Sequence, residues 1–119
     1  MNIMIVMLTQ CFPSRLGGIE SLFSNLALGL SKFKKVIVFA DTHNVEKDTF
    51  FDMKLKNQIS IKRTRGIKFF RRRKKIREVK NFIESNEIQV VIADTWKSLE
   101  LGIDYFNNKN IPVICLAHG

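Results

Sequence analysis

Residues 2–30 read "NIMIVMLTQCFPSRLGGIESLFSNLALGL". Residues 2–8 are a continuous apolar run of strand length, which is typical of a strand covered on both faces of a parallel sheet. Behind the two glycines, apolar residues recur at the spacing of one helix face: Ile19, Leu22, Phe23, Leu26, Leu30 and Phe33. The stretch therefore predicts a buried β-strand, a loop that ends in Gly-Gly and an amphipathic α-helix.

The rest of the chain continues the alternation of strand and helix. Further strands are predicted at residues 35–40, 59–64, 88–93 and 112–117, and helices at residues 72–85 and 96–108. Residues 41–57 are predicted as a loop with one helical turn at most. Such alternation favours a parallel sheet with helices on both faces, so we expect a Rossmann-like three-layer α/β fold of about five strands. Ligands of these open sheets bind beyond the carboxyl ends of the strands.

Length and composition indicate one globular domain. The chain has 119 residues, 45% of them hydrophobic, which is enough apolar side chain for one core. Cys11 and Cys115 lie in or beside apolar runs, so we expect buried free thiols rather than a disulfide. The first ten residues are too short to span a bilayer and lack the basic start and cleavage site of a signal peptide, so we expect a cytoplasmic protein.

Positive charge is concentrated in one segment. The net charge is +9, and residues 62–80 hold eleven of the twenty Lys and Arg residues with one acid, Glu78. Apolar residues lie among these bases, a composition that favours adsorption to an anionic membrane surface. The residues expected at that surface are Lys68, Phe69, Phe70, Arg71, Arg72, Arg73, Lys74 and Lys75. The alternative is a solvated helix whose apolar side packs on the sheet, and nucleic-acid binding is disfavoured because no nucleic-acid-binding module accompanies the charge.

Gly17 and Gly18 stand directly before the first predicted helix. Glycines here let a ligand approach the free N–H groups of the helix start, which favour an anion such as a phosphate. The alternative is that the two glycines only form a turn and that Glu20 complements the helix dipole. Asp41 falls near the position of a ribose-binding acid, but the sequence contains neither the dinucleotide-binding fingerprint G-x-G-x-x-G nor a P-loop.

Two stretches together resemble the amino-terminal domain of the family-four retaining glycosyltransferases of the GT-B fold. In the first, an apolar strand, a loop with F-P, the sequence G-G-I-E, a helix with L-A-x-x-L and a second apolar strand follow one another within residues 2–40. The second is "IQVVIADTWKSLELGIDYFNNKNIPVICLAHG" (88–119), which is similar to the family's later stretch that ends in I-P-V, an apolar strand and H-G. The two stretches lie in the order that the family has.

The resemblance implies transfer of a sugar from a nucleotide-sugar donor to an acceptor, with retention at the anomeric carbon. The matching motif implies that Gly17 and Gly18 bring backbone amides to the donor diphosphate or the reacting sugar. Glu20 is the acidic position of the first helical turn, which either contacts the donor diphosphate or sugar or only orders the loop. His118 would hydrogen-bond the transferred sugar near the reaction centre. Preorganised N–H donors stabilise the charge that builds on a departing diphosphate, so this chemistry requires no metal and no cofactor besides the nucleotide-sugar substrate.

Trp96 and Lys97 follow the fourth predicted strand at its carboxyl end. There an acceptor, either a glycan or a lipid-linked sugar, could stack on the indole of Trp96 and hydrogen-bond the amine of Lys97. The alternative for Trp96 is core packing against the next helix.

The chain departs from the family because it lacks the carboxy-terminal nucleotide-sugar domain, with its glutamates spaced E-x7-E. We therefore expect residues 1–119 to be one incomplete amino-terminal domain, inactive alone, whose partner is the missing domain or a complementary chain. The complete enzyme would build a cell-surface polysaccharide, a lipopolysaccharide or another glycolipid at the inner face of the plasma membrane. The rival hypothesis is a non-enzymatic α/β domain whose segment 62–80 binds anionic membrane or nucleic acid.

Overall fold

Strands and helices alternate along the described chain. The computed structural model describes residues 3–116. Its strands are β1 (Ile3–Leu8), β2 (Lys35–Asp41), β3 (Ser60–Thr64), β4 (Glu87–Ala93) and β5 (Val113–Cys115). Its helices are α1 (Gly18–Leu30), α2 (Val45–Leu55), α3 (Lys68–Ser85), α4 (Trp96–Leu99) and α5 (Ile103–Asn108).

The five described strands form one parallel sheet in the order β3-β2-β1-β4-β5. β1 lies at the centre, where Ile5 is paired with Val36 of β2 on one side and with Val90 of β4 on the other. Continuous apolar runs build β1 and β2 because strands in the middle of a parallel sheet are covered on both faces. The prediction of a Rossmann-like three-layer α/β fold is confirmed.

Successive side chains of β1 point to opposite faces of the sheet and enter two separate apolar cores. On one face, α3, α4 and α5 pack on a core that contains Val6 of β1. On the other face, α1 and α2 pack on a core that contains Met7. The helices contribute Ile76, Val79, Ile83, Leu99 and Phe106 to the first core, and Phe23, Ala27, Phe51 and Leu55 to the second.

α2 occupies a region that the sequence predicts as a loop with one helical turn at most, so this prediction is wrong. The helix begins with a conventional cap, because the side chain of Asn44 accepts a hydrogen bond from the Lys47 backbone N–H at 3.0 Å. Glu46 and Asp48 then place negative charge in the first turn, which the helix dipole favours. The apolar pattern did not reveal α2 because Asp48 is its one fully buried residue among those described.

The helix predicted at residues 96–108 is divided into α4 and α5. Gly102 lies between them and is buried, and a Cβ atom at this position would come within 3.0 Å of the Phe106 ring and 3.1 Å of the Ile76 Cδ1 atom. Glycine therefore allows the α4–α5 junction to lie directly against α3.

Several side chains that the sequence predicts as buried are exposed. Phe23 is buried, whereas Leu22 is half-exposed and Phe33, which follows the end of α1, is 82% exposed. Both cysteines are free thiols. The expectation of buried thiols is wrong for Cys115, which is exposed, while Cys11 is partly buried. The pKa of the Cys11 thiol is raised because burial disfavours the thiolate.

Candidate functional site

The order of the strands reverses at β1, which is the topological switch point of the sheet. β2 lies on one side of β1 and β4 on the other, so the loops that leave β1 and β4 diverge to opposite faces. Open α/β sheets bind ligands in the crevice beyond the carboxyl ends of the strands at such a point. The loop before α1 and the beginnings of α3 and α4 all follow carboxyl ends of strands, so the candidate residues described by the structure lie along this edge.

Gly17 lies against the side chain of Glu20. The backbone of Gly17 is extended, a conformation open to any residue, but a Cβ atom there would overlap the Glu20 carboxylate. Glu20 is buried and forms an ion pair with exposed Arg15, with 3.2 Å between Nε and Oε2. Of the two roles considered for Glu20, ordering the loop is the one that these contacts support.

Gly18 differs, because a Cβ atom built on it would meet no other atom within 4 Å. It is the first residue of α1, and Gly17, the N-cap residue, provides no side-chain hydrogen bond. Ser21 N–H makes the first helical hydrogen bond, to the Gly17 carbonyl at 3.1 Å. Within residues 3–116, the N–H groups of Gly18, Ile19 and Glu20 have no hydrogen-bond acceptor, as is usual for the first turn of a helix. The Glu20 carboxylate already lies beside Gly17, so an external anion would approach this helix start from the side of exposed Gly18.

Asp48 holds the loop that precedes these glycines. Its Oδ1 accepts a hydrogen bond from the Ser14 hydroxyl at 2.7 Å, and its Oδ2 accepts one from the His43 N–H at 2.8 Å. Burial alone would raise the pKa of Asp48, but these hydrogen bonds and the nearby charge of Arg63 hold it below its usual value. The loop is thereby fixed to the beginning of α2.

Arg63 ties the same loop to β3. Its guanidinium forms a two-point ion pair with Asp52, at 2.8 and 3.0 Å, and donates a hydrogen bond to the Pro13 carbonyl. Its side chain is almost fully buried by these contacts. Arg63 therefore belongs to the interior of the domain, although it is one of the eleven bases of residues 62–80.

Lys75 corrects the predicted membrane surface. Its side chain is 1% exposed, and its ammonium group donates to the Thr9 carbonyl at 2.9 Å and pairs with the Asp41 Oδ1 at 2.8 Å. The prediction that Lys75 contacts a membrane is wrong, because the side chain points into the domain and joins α3 to the ends of β1 and β2. Asp41, which falls near the position of a ribose-binding acid in the sequence, uses one carboxylate oxygen in this ion pair.

Thr9 and Asp94 form a buried hydrogen-bonded pair just beyond the carboxyl ends of β1 and β4. The Thr9 hydroxyl donates a hydrogen bond to the Asp94 Oδ2 at 2.7 Å, and both residues are buried. The Asp94 Oδ1 accepts hydrogen bonds from the Thr95 N–H at 2.8 Å and the Ser98 hydroxyl at 2.7 Å. Asp94 therefore joins the end of β1 to the beginning of α4.

A cavity of about 370 Å³ lies beyond the ends of β1 and β2, at the beginnings of α3 and α4. We call it the basic cavity, and its lining residues are Gln10, Asp41, Lys68, Phe69, Arg71, Arg72 and Lys97. It brings Lys97, predicted to bind the acceptor, together with four residues predicted to bind a membrane. The sequence alone could not show that these residues line one cavity, because Lys97 lies in α4 and the other four lie in α3.

The rest of the basic segment forms an exposed surface. Phe69 and Phe70 are 86% and 61% exposed, and they lie between exposed Ile67 and Arg73. We call these four residues, together with Lys68, the basic-aromatic surface. Lys74 is exposed as well and donates to the Arg65 carbonyl at 3.3 Å. No helix within residues 3–116 is long and apolar enough to cross a bilayer.

Trp96 is 52% exposed, so its ring does not belong to either apolar core of the described residues. Of the two roles predicted for Trp96, the structure does not support packing in the core, and half-exposure of the side chain is compatible with contact to a ligand.

A second, larger cavity was not predicted at all. It has a volume of about 720 Å³ and lies between the β1–α1 loop and α2, where Pro13, Leu16, Phe50 and Met53 form part of its lining. This groove is mainly apolar. Sequence reasoning missed it because α2, which forms one wall, was predicted as a loop.

His118 lies outside the described residues. Within residues 3–116, no group of three His, Cys, Asp or Glu side chains is placed to hold a metal ion. The chain matches no known protein family model, and it matches no curated protein sequence.

Proposed function

We propose that this chain is the acceptor-side domain of a retaining glycosyltransferase of the GT-B type. The observation that carries the proposal is the common position of the two resembling stretches. The Gly-Gly loop follows β1 and the Trp96–Lys97 pair follows β4, and these strands are neighbours at the switch point. Both stretches therefore border the edge where an open α/β sheet holds its ligand.

In the proposed reaction, the free N–H groups at the beginning of α1 would face the donor diphosphate. Negative charge builds on that group as it departs, and fixed N–H donors stabilise it without having to reorganise. Glu20 acts indirectly, since its contacts with Gly17 and Arg15 shape the loop. His118 would contact the transferred sugar, as the family motif implies.

The acceptor would bind on the other side of the switch point. The half-exposed indole of Trp96 offers a face on which a sugar ring can stack, and the Lys97 ammonium offers hydrogen-bond donors. The nucleotide part of the donor would be bound by a second domain or by a complementary chain. A glycan or lipid-linked acceptor and a site of action at the inner membrane face complete the proposal.

The test replaces Gly18 in the protein that the complete gene encodes. Because a Cβ atom on Gly18 has open space, Gly18→Val should fold normally while its side chain blocks a diphosphate from the N–H groups. We expect kcat/KM for sugar transfer to fall by about 100-fold, the usual effect of losing an oxyanion donor.

Gly29→Val is the matched control, since Gly29 lies in the same helix and its Cβ position is also open. It should keep activity close to that of the wild type. A fully active Gly18→Val variant would remove the proposed contact. A complete protein that neither transfers nor hydrolyses any nucleotide sugar would remove the function.

A second candidate function is adsorption to an anionic membrane without catalysis. The observation that favours it is the basic-aromatic surface, where two exposed phenylalanine rings lie among cationic side chains. Aromatic rings beside bases are the composition of interfacial membrane-binding segments. This candidate is compatible with the first, because an enzyme that acts on a lipid-linked acceptor works at such a surface.

A further inference from the structure

Three cations of the basic cavity have no carboxylate partner within residues 3–116. Arg72 is paired with Glu100 at 2.6 Å, and Asp41, the acid of the lining, is paired with Lys75. That leaves Lys68, Arg71 and Lys97 uncompensated around one cavity. Like charges gathered in a cleft raise the local concentration of anions, because low-dielectric walls focus their field.

Arg71 keeps most of its donors free. Among the described residues, its guanidinium donates only to the Thr42 carbonyl, at 3.3 Å. Arg72 forms the adjoining wall, since it also donates to the Lys97 carbonyl at 2.9 Å and thereby joins α3 to α4. The Arg71 Nε–H is buried and has no acceptor among the described residues. The terminal N–H groups that Thr42 does not use can bind a planar or tetrahedral oxyanion at two points.

Helix stability does not explain these bases. α3 begins at Lys68 with no acid in its first turn and no side-chain cap, so cations stand at the positive end of the helix dipole. Positive charges at this end oppose helix formation. An anion in the cavity would offset this unfavourable placement of charge.

We infer that the basic cavity binds a phosphate group, and that this phosphate belongs to the acceptor. The cavity, at about 370 Å³, lies within the range of small-molecule sites, about 300–1,000 Å³. It therefore has room for the group that carries the phosphate, such as a glycerol or a sugar. Assignment of the phosphate to the acceptor rests on the proposed function, whereas phosphate binding itself does not.

The experiment measures binding of inorganic phosphate and glycerol 3-phosphate to the 119-residue chain by calorimetry at low ionic strength. The double variant Arg71→Gln/Lys97→Gln removes two cavity charges. The control Arg77→Gln/Lys32→Gln removes the same charges from exposed positions outside both the cavity lining and the basic-aromatic surface. We expect the cavity variant to raise Kd by at least about tenfold, as the loss of charge-assisted hydrogen bonds implies, and the control to change it by less than about twofold.

Two results would overturn the inference: no binding of either phosphate by the wild type, or equal weakening by both double variants, which would indicate diffuse attraction. If the double variant fails to fold, Lys97→Gln alone decides the matter, because Lys97 is exposed and its ammonium group bonds to no other described residue. Unchanged affinity of that single variant for both phosphates would also overturn the inference.

Vesicles distinguish a lipid-linked phosphate from a soluble one. If vesicles containing phosphatidic acid bind in a manner that glycerol 3-phosphate displaces and the cavity variant loses, the phosphate is carried by a lipid. If only the soluble phosphates bind, the acceptor is a soluble phosphate ester. No donor sugar is present in these assays. Sugar transfer by the complete protein without phosphate binding would therefore overturn the cavity inference alone. Phosphate binding with no transfer by the complete protein would overturn the proposed function and the assignment of the phosphate to the acceptor, and would leave the phosphate site itself standing.

Discussion

Asp48 is a buried carboxylate that accepts hydrogen bonds from two separate segments of the chain. Ser14 belongs to the loop before α1, and His43 and Asn44 lead into α2. The position of the glycine loop therefore depends on one ionised side chain. Since these contacts hold the pKa of Asp48 below its usual value, the ionised form stabilises the folded state.

Asp48→Asn tests this dependence through pH. A lowered folded pKa means that the stabilising contribution is present above the unfolded pKa and is lost as pH falls through the folded pKa. We expect the variant to be less stable by about 2 kcal/mol at pH 7, with the difference from the wild type shrinking below pH 4. Urea unfolding at pH 7 and pH 3 measures it.

Asp104→Asn provides the control, because Asp104 is exposed and should leave stability nearly unchanged at both values of pH. A stability difference for Asp48→Asn that is the same at pH 7 and at pH 3 would contradict the assigned role.

Lys75 shows what composition cannot predict at the level of one residue. Lys74 and Lys75 are adjacent and chemically identical, yet one is exposed and the other is buried on two oxygen acceptors. A helix turns by about 100° per residue, so neighbours face different surroundings. The burial of Lys75 depends on where the carboxyl ends of β1 and β2 lie, which the local sequence does not contain.

At the scale of elements, the strands were predictable and the helix boundaries were less so. The apolar runs of β1, β2 and β4 identify them directly, because a central parallel strand is buried on both faces. α2 has no apolar pattern of this kind. Its sequence does contain a helix-start pattern, because Asn44 at the N-cap is followed by Glu46 and Asp48 in the first turn. α3 begins at Lys68, four residues before its predicted start. The sequence pattern did not reveal this first turn because residues 68–71 contribute no buried apolar side chain.

The junction of α4 and α5 gives a prediction about packing. Gly102→Ala would place a methyl group 3.0 Å from the Phe106 ring and 3.1 Å from Ile76, with α3 unable to move away freely. We expect a loss of about 1–3 kcal/mol of unfolding free energy, the usual effect of overpacking a core.

Gly29→Ala is the contrasting substitution, because Gly29 is exposed within α1 and its Cβ position is open. This variant should gain about 0.5–1 kcal/mol from helix propensity. Denaturant unfolding of both variants tests the pair, and equal effects of the two substitutions would show that the Gly102 contacts are not tight.

At the scale of the whole molecule, exposed phenylalanines offer a matched test of membrane adsorption. Phe69 and Phe33 are 86% and 82% exposed, but only Phe69 belongs to the basic-aromatic surface. Phe69→Ser should weaken binding to vesicles of anionic lipid by about tenfold, since the interface would no longer bury the ring. Phe33→Ser should leave binding unchanged.

Sedimentation with vesicles measures this difference, and added salt should weaken binding of the wild type because it screens the basic side chains. Equal loss of binding in the two variants would mean that the surface does not orient the protein on the membrane.

The arrangement of the sheet was predictable from the sequence, whereas the meeting of the two predicted sites was not. Lys97 and Arg71 are separated by 25 intervening residues. Arg71 lies in α3, which follows β3, and Lys97 lies in α4, which follows β4. Only the strand order, which puts β4 beside β1, brings them to one cavity. Local patterns indicate which residues form an edge, and the topology decides which of them become neighbours.

The buried tie of Lys75 also affects how the basic cavity meets a ligand. Its ammonium group anchors α3 to the ends of β1 and β2, so the backbone that carries Lys68 and Arg71 is held in place before any ligand arrives. Ordering of flexible side chains and loops on binding commonly reduces affinity by about 0.5–1.5 kcal/mol for each group immobilised. A wall held in place by the core avoids the backbone part of that loss, so less of the attraction between the cavity and an anion is spent on ordering the protein.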